Sequence, residues 1–335
     1  MMAQVMKNRR PGIVLLCVAA LAMAACAQAP APSIAEHPSS FEPSTSPTRF
    51  FDTPADAVTA LVGATAAKDH VALHDLFGPA IDQLLSGDAT QDTIEFENFS
   101  AAVNKMCNPV MLGNDKVVLY IGEKNWPFPI PLLRTNGQWF FDTAAGREEI
   151  LNRRIGEDEL AAISVCQNYL LAQHEYASLD RNDDGVLSYA QRLNSTPGNH
   201  DGLYWPPVEG QEFSPFGPLV ANAHEEGYDA DRPVGRTEPF HGYLFKILKE
   251  QGPAAPGGKY NYVINGNMVA GFALVAYPAH WGESGIMTFI VNQDGKIYQR
   301  NLGTKSAETA AATTVFNPDE NWTVVDNAAP ARPLK

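Results

Sequence analysis

Apolar residues first recur at helical spacing just beyond position 51, where Ala57, Val58, Leu61 and Val62 share one face. Asp52 or Thr53 is placed to cap that helix, and Pro54 falls in its first turn, where a missing N–H costs nothing. Two further helices are predicted over 71–77 and 93–106. From Lys116 the period becomes two, and strands are predicted over 117–121, 130–134 and 138–141. The last two flank Thr135-Asn136-Gly137, whose Asn-Gly pair is the strongest short-range hairpin signal. Ahead of them, Trp126-Pro127-Phe128-Pro129-Ile130-Pro131 alternates large apolar residues with proline, which cannot donate to a sheet ladder, so this stretch belongs on an edge. It is either a covering strand whose Trp126 and Phe128 pack inward or a lip offered to an apolar partner.

After Asp142-Thr143 the helical period returns and runs through Arg147, Ile150 and Leu151 to Ile155. Gly156 is expected to interrupt it. A second amphipathic helix is then predicted from Glu157 to about Leu179, with Glu157, Asp158 and Glu159 at its positive N-terminal end. A region rich in Gly, Pro and Asn follows to about Pro239, with one short helix over 216–226. Strands are predicted over 243–248, 260–264, 272–277, 287–291 and 296–300, the last two joined by the turn Asn292-Gln293-Asp294-Gly295. A helix over 306–314 and a strand over 322–325 close the pattern. The fold class this predicts is α+β: N-terminal helices with a small antiparallel sheet over 50–142, then a long helix and a second antiparallel sheet over 143–326. Residues 327–335 are expected to be a disordered tail.

The segment before this pattern has a different character. Lys7, Arg9 and Arg10 precede an apolar run from Ile13 to Ala25, too short to span a bilayer comfortably, and small residues end it. It reads as a signal peptide over 1–26. Met23-Ala24-Ala25-Cys26 resembles the lipobox of bacterial lipoproteins, in which the cysteine is acylated, so Cys26 is the candidate lipid attachment site. Ordinary cleavage would instead leave a soluble periplasmic or secreted protein. Residues 27–49, rich in Pro, Ala, Ser and Thr, are expected to be a flexible tether.

Composition sharpens that placement. With 45% hydrophobic residues in 335, the chain has material for one large or two ordinary cores. The formal charge is −14, and it becomes −17 once the three positive charges of the leader are gone. Such a balance argues against nucleic acid and anionic membrane surfaces as partners and otherwise reads simply as solubility; the expected partners are a membrane reached through the lipid anchor and an envelope protein.

Candidate chemistry is sparse. Beyond the leader, Cys107 and Cys166 are either a disulfide, which an oxidising compartment permits, or thiols; Cys166 falls in register with Leu160, Ile163 and Leu170, where a buried free thiol is natural. Asp180-Arg181-Asn182-Asp183-Asp184-Gly185-Val186-Leu187 matches the first half of a calcium loop, with oxygen ligands from Asp180, Asn182, Asp184 and the Val186 carbonyl. The twelfth position is Gln191, which cannot supply a bidentate carboxylate, so the loop is either a weak structural Ca2+ site or a self-satisfied turn. Ser284 lies in Gly282-Glu283-Ser284-Gly285, one residue short of nucleophile-elbow spacing, and His174-Glu175 and His224-Glu225 lack the second histidine of a zinc protease. A candidate pocket remains: Arg192, His200, Asp201, Tyr204 and Trp205 together with His241.

Four runs carry a resemblance: Trp126 to Pro131, Phe141-Asp142-Thr143-Ala144-Ala145-Gly146-Arg147-Glu148-Glu149-Ile150, Asp201-Gly202-Leu203-Tyr204-Trp205-Pro206 and Gly252-Pro253-Ala254-Ala255-Pro256-Gly257-Gly258. They are similar to the signatures of a bacterial envelope family known as domain of unknown function 2950. That resemblance implies an exported envelope protein and no particular chemistry. The helix holding Tyr169 and Tyr176, with His241-Gly242-Tyr243-Leu244-Phe245, Ala276-Tyr277-Pro278 and the run from Gly285 to Gly295, resembles the soluble part of type IV pilin-like proteins. It implies a long helix packed on an antiparallel sheet, without the apolar half of the pilin helix that assembles filaments. Residues 51–142 resemble small α+β cone folds of the nuclear-transport-factor-like group. The expectation is a non-enzymatic binding or structural module of the periplasm or outer membrane. The alternative is a periplasmic hydrolase-type enzyme with its site around His200 to Trp205 and His241.

Overall fold

The computed structural model describes residues 49–225, 228 and 238–325. The leader with Cys26, the tether up to residue 48 and the C-terminal tail lie outside the described residues.

The chain enters as Phe51, whose backbone exchanges hydrogen bonds of 2.8 and 2.7 Å with Trp139. Helix α1 (Pro54–Ala66) is capped by Thr53, which accepts from the Asp56 N–H, and α2 (His70–Phe77) by Asp69. Helix α3 (Ala89–Lys105) starts four residues before its expected position. Asp88 accepts from the Thr90 and Gln91 N–H groups and so supplies the cap that apolar periodicity could not locate.

Strands β1 (Cys107–Met111), β2 (Lys116–Ile121), β3 (Trp126–Pro127), β4 (Leu132–Thr135) and β5 (Gln138–Phe141) form an antiparallel sheet in the order β1-β2-β4-β5, with β3 also on β2. The β4–β5 turn holds Asn136 at φ 50° and Gly137 at φ 87°, as a tight right-twisting hairpin requires. Strand β1 escaped the periodicity because it is an edge: it carries Pro109 and no fully buried residue. Phe51, Leu61, Leu73, Phe77, Leu119, Phe128 and Phe141 belong to the core beneath this sheet.

Helix α4 (Thr143–Tyr176) corrects the expected break at Gly156. It is one helix of 34 residues, about 50 Å long. Glycine costs a helix only about 1 kcal/mol relative to alanine, and packing on either side outweighs it: Ile150 sits against the first core, whereas Ala162, Val165, Cys166 and Tyr169 sit in a second. The acidic triplet therefore lies in mid-helix and not at a helix N-terminus.

After α5 (Gly217–Glu225) come β6 (Tyr243–Leu248), β7 (Glu250–Gln251), β8 (Tyr260–Asn261), β9 (Val263–Ile264), β10 (Asn267–Met268), β11 (Ala273–Pro278), β12 (Met287–Asn292) and β13 (Ile297–Asn301). Helix α6 (Ser306–Ala312), β14 (Val315–Phe316) and β15 (Thr323–Val324) follow. The main sheet has the order β15-β13-β12-β11-β6, antiparallel throughout. Strand β11 is buried at all six positions because both α4 and α6 pack on it, which is why its sequence reads as a continuous apolar run. The fold is thus α+β, with the long helix laid on the antiparallel sheet that follows it.

Cys107 and Cys166 are free thiols, one packed against the first core and one inside the second. Burial raises their pKa values to about 11 and about 12.

Candidate binding groove

The two prolines of the Trp-Pro-Phe-Pro run limit how strand β3 joins the first sheet. Strand β3 pairs with β2 for two residues only, Ile121 opposite Trp126 and Tyr120 opposite Pro127. The Phe128 N–H then donates to the Leu119 carbonyl at 2.8 Å, and Pro129 ends the ladder. The alternation divides the two readings of this run between its two aromatics. Phe128 is buried, stacked on Phe99 at 5.1 Å, while Trp126 stays 41% exposed with the Arg153 guanidinium 4.9 Å from its ring.

Phe128 forms part of the floor of an open groove of about 1380 Å³. Its walls are α2, the 3-10 turn Pro79–Leu84, α3, the β2–β3 edge and the first half of α4. Phe77, Phe96, Phe99, Ile81 and Ile150 line it with Phe128, and the rim is charged. Lys68 pairs with Glu97 at 2.9 Å and Lys105 with Glu123 at 3.0 Å.

Helix α4 closes the groove with two arginines. The Arg154 side chain is 5% exposed and forks onto Glu95 of α3, Nη2 to Oε2 at 2.8 Å and Nε to Oε1 at 3.3 Å. Arg153 Nε donates to Glu149 at 2.7 Å. In both residues Nη1 is buried without a hydrogen-bond partner among the described residues.

One turn beyond Arg154, Asp158 is 1% exposed, and burial lifts its pKa to about 7. Its Oδ1 accepts from Gln91 Nε2 at 2.7 Å, and its Oδ2 has no hydrogen-bond partner among the described residues. Opposite stands the turn before β6, with His241 at φ 45° and Gly242 at φ 67°. A Cβ on Gly242 would come within 2.5 Å of Ser284 Cβ and 2.9 Å of Asp158 Oδ2. Tyr228 ties the same place together, donating its hydroxyl hydrogen to Asp88 Oδ2 at 3.0 Å and accepting from the His241 N–H at 3.1 Å. Glu159 accepts from the Ile286 and Met287 N–H groups at 3.0 Å each. The triplet thus has three environments: Glu157 lines the groove, Asp158 joins the two cores, and Glu159 holds the start of β12.

The structure does not gather the six residues of the candidate pocket. Arg192 approaches Asp201 at 3.6 Å, and Asp201 also accepts from the Thr196 N–H and hydroxyl. His200 stacks on Trp205 at 4.2 Å, its carbonyl accepts from the Tyr176 hydroxyl, and the Trp205 indole N–H donates to the Glu212 carbonyl. Tyr204 is held by backbone bonds to Leu193 and Ser195. These residues staple a long loop over the last turn of α4. His241 faces Asp158 instead, eighteen residues earlier on the same helix, about 27 Å along its axis. Ser284 is closed in its turn, bonded both ways to the His280 backbone.

In the loop 180–187 the Asp180 carboxylate accepts from the Asp184 and Gly185 N–H groups, and Asp184 accepts from the Val186 N–H and Asn182 Nδ2. Gln191 is turned away, bonded to the Gly266 carbonyl and Lys249. No group of three or more His, Cys, Asp or Glu side chains placed to hold a metal ion occurs among the described residues.

No helix among the described residues is long and apolar enough to cross a membrane. Fold and site together define an α+β protein in which one long helix serves two cores and closes a largely apolar groove over the smaller sheet. The chain belongs to the family described as protein of unknown function (DUF2950), whose model matches residues 48–325. It matches no curated protein and no solved structure.

Proposed function

We propose that this protein is a non-enzymatic binding module of the bacterial cell envelope that holds a single hydrocarbon chain in the groove between α2, α3, the β2–β3 edge and the first half of α4. The carrying observation is the groove itself: about 1380 Å³, floored by Phe77, Phe99 and Phe128 and bordered by an exposed Trp126. Ligand sites are concave and mostly apolar, with few polar groups, and this groove has that make-up. The enzymatic alternative needed His200 and His241 to converge, whereas the loop carrying His200 lies by Tyr176 at the end of α4 and His241 lies by Asp158 in its middle. Nile red, a neutral apolar dye, tests the reading: saturable one-to-one fluorescence enhancement is expected, weakened in Trp126→Ala and in Phe96→Glu. Absence of saturable uptake by the wild type defeats it.

The leader supports an exported location and the Met23-Ala24-Ala25-Cys26 sequence an acylated N-terminus, with the tether setting how far the module stands from the membrane. Metabolic labelling with a fatty acid should mark the wild type and not Cys26→Ser. An unlabelled wild type removes the anchor and leaves the groove reading intact.

A further inference from the structure

We propose that the turn 240–242 before β6 is a pH-sensitive latch, seated between the two cores while the Asp158 carboxyl is protonated and lifted from that seat, with neither core unfolded, once the carboxyl is ionised.

The seat is narrow. A Cβ on Gly242 would lie 2.9 Å from Asp158 Oδ2 and 2.5 Å from Ser284 Cβ, and that oxygen, in a residue 1% exposed, has no hydrogen-bond partner among the described residues. A neutral acid fits such a place, whereas a carboxylate sets a charge there that nothing donates to. Water reaches Oδ2 only if one wall moves. Helix α4 is packed into both cores, and on the α3 side Gln91 Nε2 is bonded to Asp158 Oδ1 at 2.7 Å. The turn is the wall that yields. It holds His241 at φ 45° and Gly242 at φ 67°, two successive left-handed residues of which the first is not glycine, so its seated form is strained. Four hydrogen bonds keep it down: the His241 N–H to the Tyr228 hydroxyl at 3.1 Å, the mutual Phe240–Tyr243 backbone pair at 2.9 and 3.1 Å, and the Ala279 N–H to the Gly242 carbonyl at 2.9 Å. Opening a short segment of this kind costs less than unfolding a core.

The charges around Asp158 set the direction. Burial outweighs the Gln91 hydrogen bond, the His241 ring of the turn and Arg154 of α4, all of which favour ionisation, and Glu95 of α3 opposes it. The Tyr228 and Tyr243 hydroxyls also face this carboxyl, which opposes their own ionisation. The seated carboxyl therefore stays protonated up to about pH 7, whereas a solvated one ionises near pH 4. Opening thus rises with pH across that window and levels off above it.

Amide hydrogen exchange of the full chain at pH 4.5 and pH 7.5, corrected for the intrinsic rate at each pH, reads the latch through the amides of Phe240, His241 and Tyr243. Their opening should be insensitive to low urea, more populated than that of the β11 and β12 amides, and about 10- to 1000-fold more populated at pH 7.5 than at pH 4.5, the upper figure being the full difference of about 3 pKa units. Asp158→Asn should keep the turn protected at both pH values. Gly242→Ala, which unseats the turn by overlap, should leave it open at both and serves if the first variant does not fold. His241→Asn, a residue that tolerates positive φ, should retain the pH dependence. Turn amides that open only together with β11 and β12, or equally at the two pH values, overturn the latch. So does a pH dependence that survives in Asp158→Asn or in Gly242→Ala, or one that His241→Asn removes.

Discussion

Replacing Asp158 by Asn should stabilise the protein at alkaline pH and leave it nearly unchanged at acid pH. Burial raises the pKa of this carboxyl from 3.8 to about 7. Glu95 on α3 pushes in the same direction, whereas the hydrogen bond from Gln91, the His241 ring at the β6 turn and Arg154 on the same helix oppose it. The folded state therefore prefers the neutral acid. Below about pH 4 the group is protonated both folded and unfolded, and its ionisation costs nothing. Between about pH 4 and 7 the unfolded chain releases the proton and the folded one keeps it, so stability falls as pH rises; above about 7 the penalty is complete. A difference of about 3 pKa units corresponds to about 4 kcal/mol, an upper bound for a site where relaxation and neighbouring cations absorb part of the cost. Asn keeps the oxygen that accepts from Gln91 and cannot ionise. Urea denaturation of wild type and variant at pH 4.5 and pH 8.5 measures the difference directly. A gain of about 1 to 4 kcal/mol at pH 8.5 that shrinks towards zero at pH 4.5 is expected. A change of equal size at both pH values refutes the reasoning, because it would come from packing and not from ionisation.

Gly156→Ala should raise stability by about 0.5 to 1 kcal/mol in urea melts, since the position is mid-helix with nothing within 4 Å of an added Cβ; a loss would show that α4 needs a break there. Gly242→Ala should cost at least about 2 kcal/mol, because it adds left-handed strain at φ 67° to overlaps with Ser284 and Asp158, and thermal melts near the wild-type value would contradict the tight approach of the two cores. Millimolar calcium against chelator should leave the melting temperature unchanged, because the Asp180 and Asp184 carboxylates are taken up by backbone N–H groups of their own loop; a calcium-dependent rise lost in Asp184→Ala would restore the 180–187 loop as a cation site.

Much of the fold was legible because it is governed by local patterns. Alternation located β2, β5 and β6, the Asn-Gly pair set the β4–β5 hairpin, and helical spacing found the start of α1 and placed α2 to within a residue. The misreadings occur where distant contacts outweigh local preference. Gly156 looked like a break because propensity is a local quantity, and only burial in two cores keeps the helix whole. The acidic triplet then looked like a cap. Nothing adjacent in sequence says that Asp158 will face Gln91, sixty-seven residues earlier, or the Gly242 turn. His200 and His241 failed in the opposite way: similar residue types invited a common pocket, and the length of α4 holds them apart. The Trp126 to Pro131 run was readable as an edge, but which aromatic turned inward depended on the register of Phe128 against Leu119.

The residues that close the groove and those that join the cores are one hydrogen-bonded series. Arg154 forks onto Glu95, Gln91 Nε2 bonds Glu95 Oε1 at 3.0 Å and Asp158 Oδ1 at 2.7 Å, and Arg154 and Asp158 lie one helical turn apart. The titratable groups that face Asp158 are Glu95 from α3, Arg154 from α4, His241 from the β6 turn, Tyr228 beside it and Tyr243 of β6. Of these, Arg154 is a cation that favours ionisation of Asp158, so Arg154→Gln should raise the Asp158 pKa further and enlarge the penalty on the folded state above it. The loss of stability in Arg154→Gln, measured by urea denaturation, should accordingly grow between pH 4.5 and pH 8.5. In the Asp158→Asn background that growth should shrink. Parallel pH profiles in the two backgrounds would mean that the groove and the buried acid, though joined by hydrogen bonds, exchange no free energy.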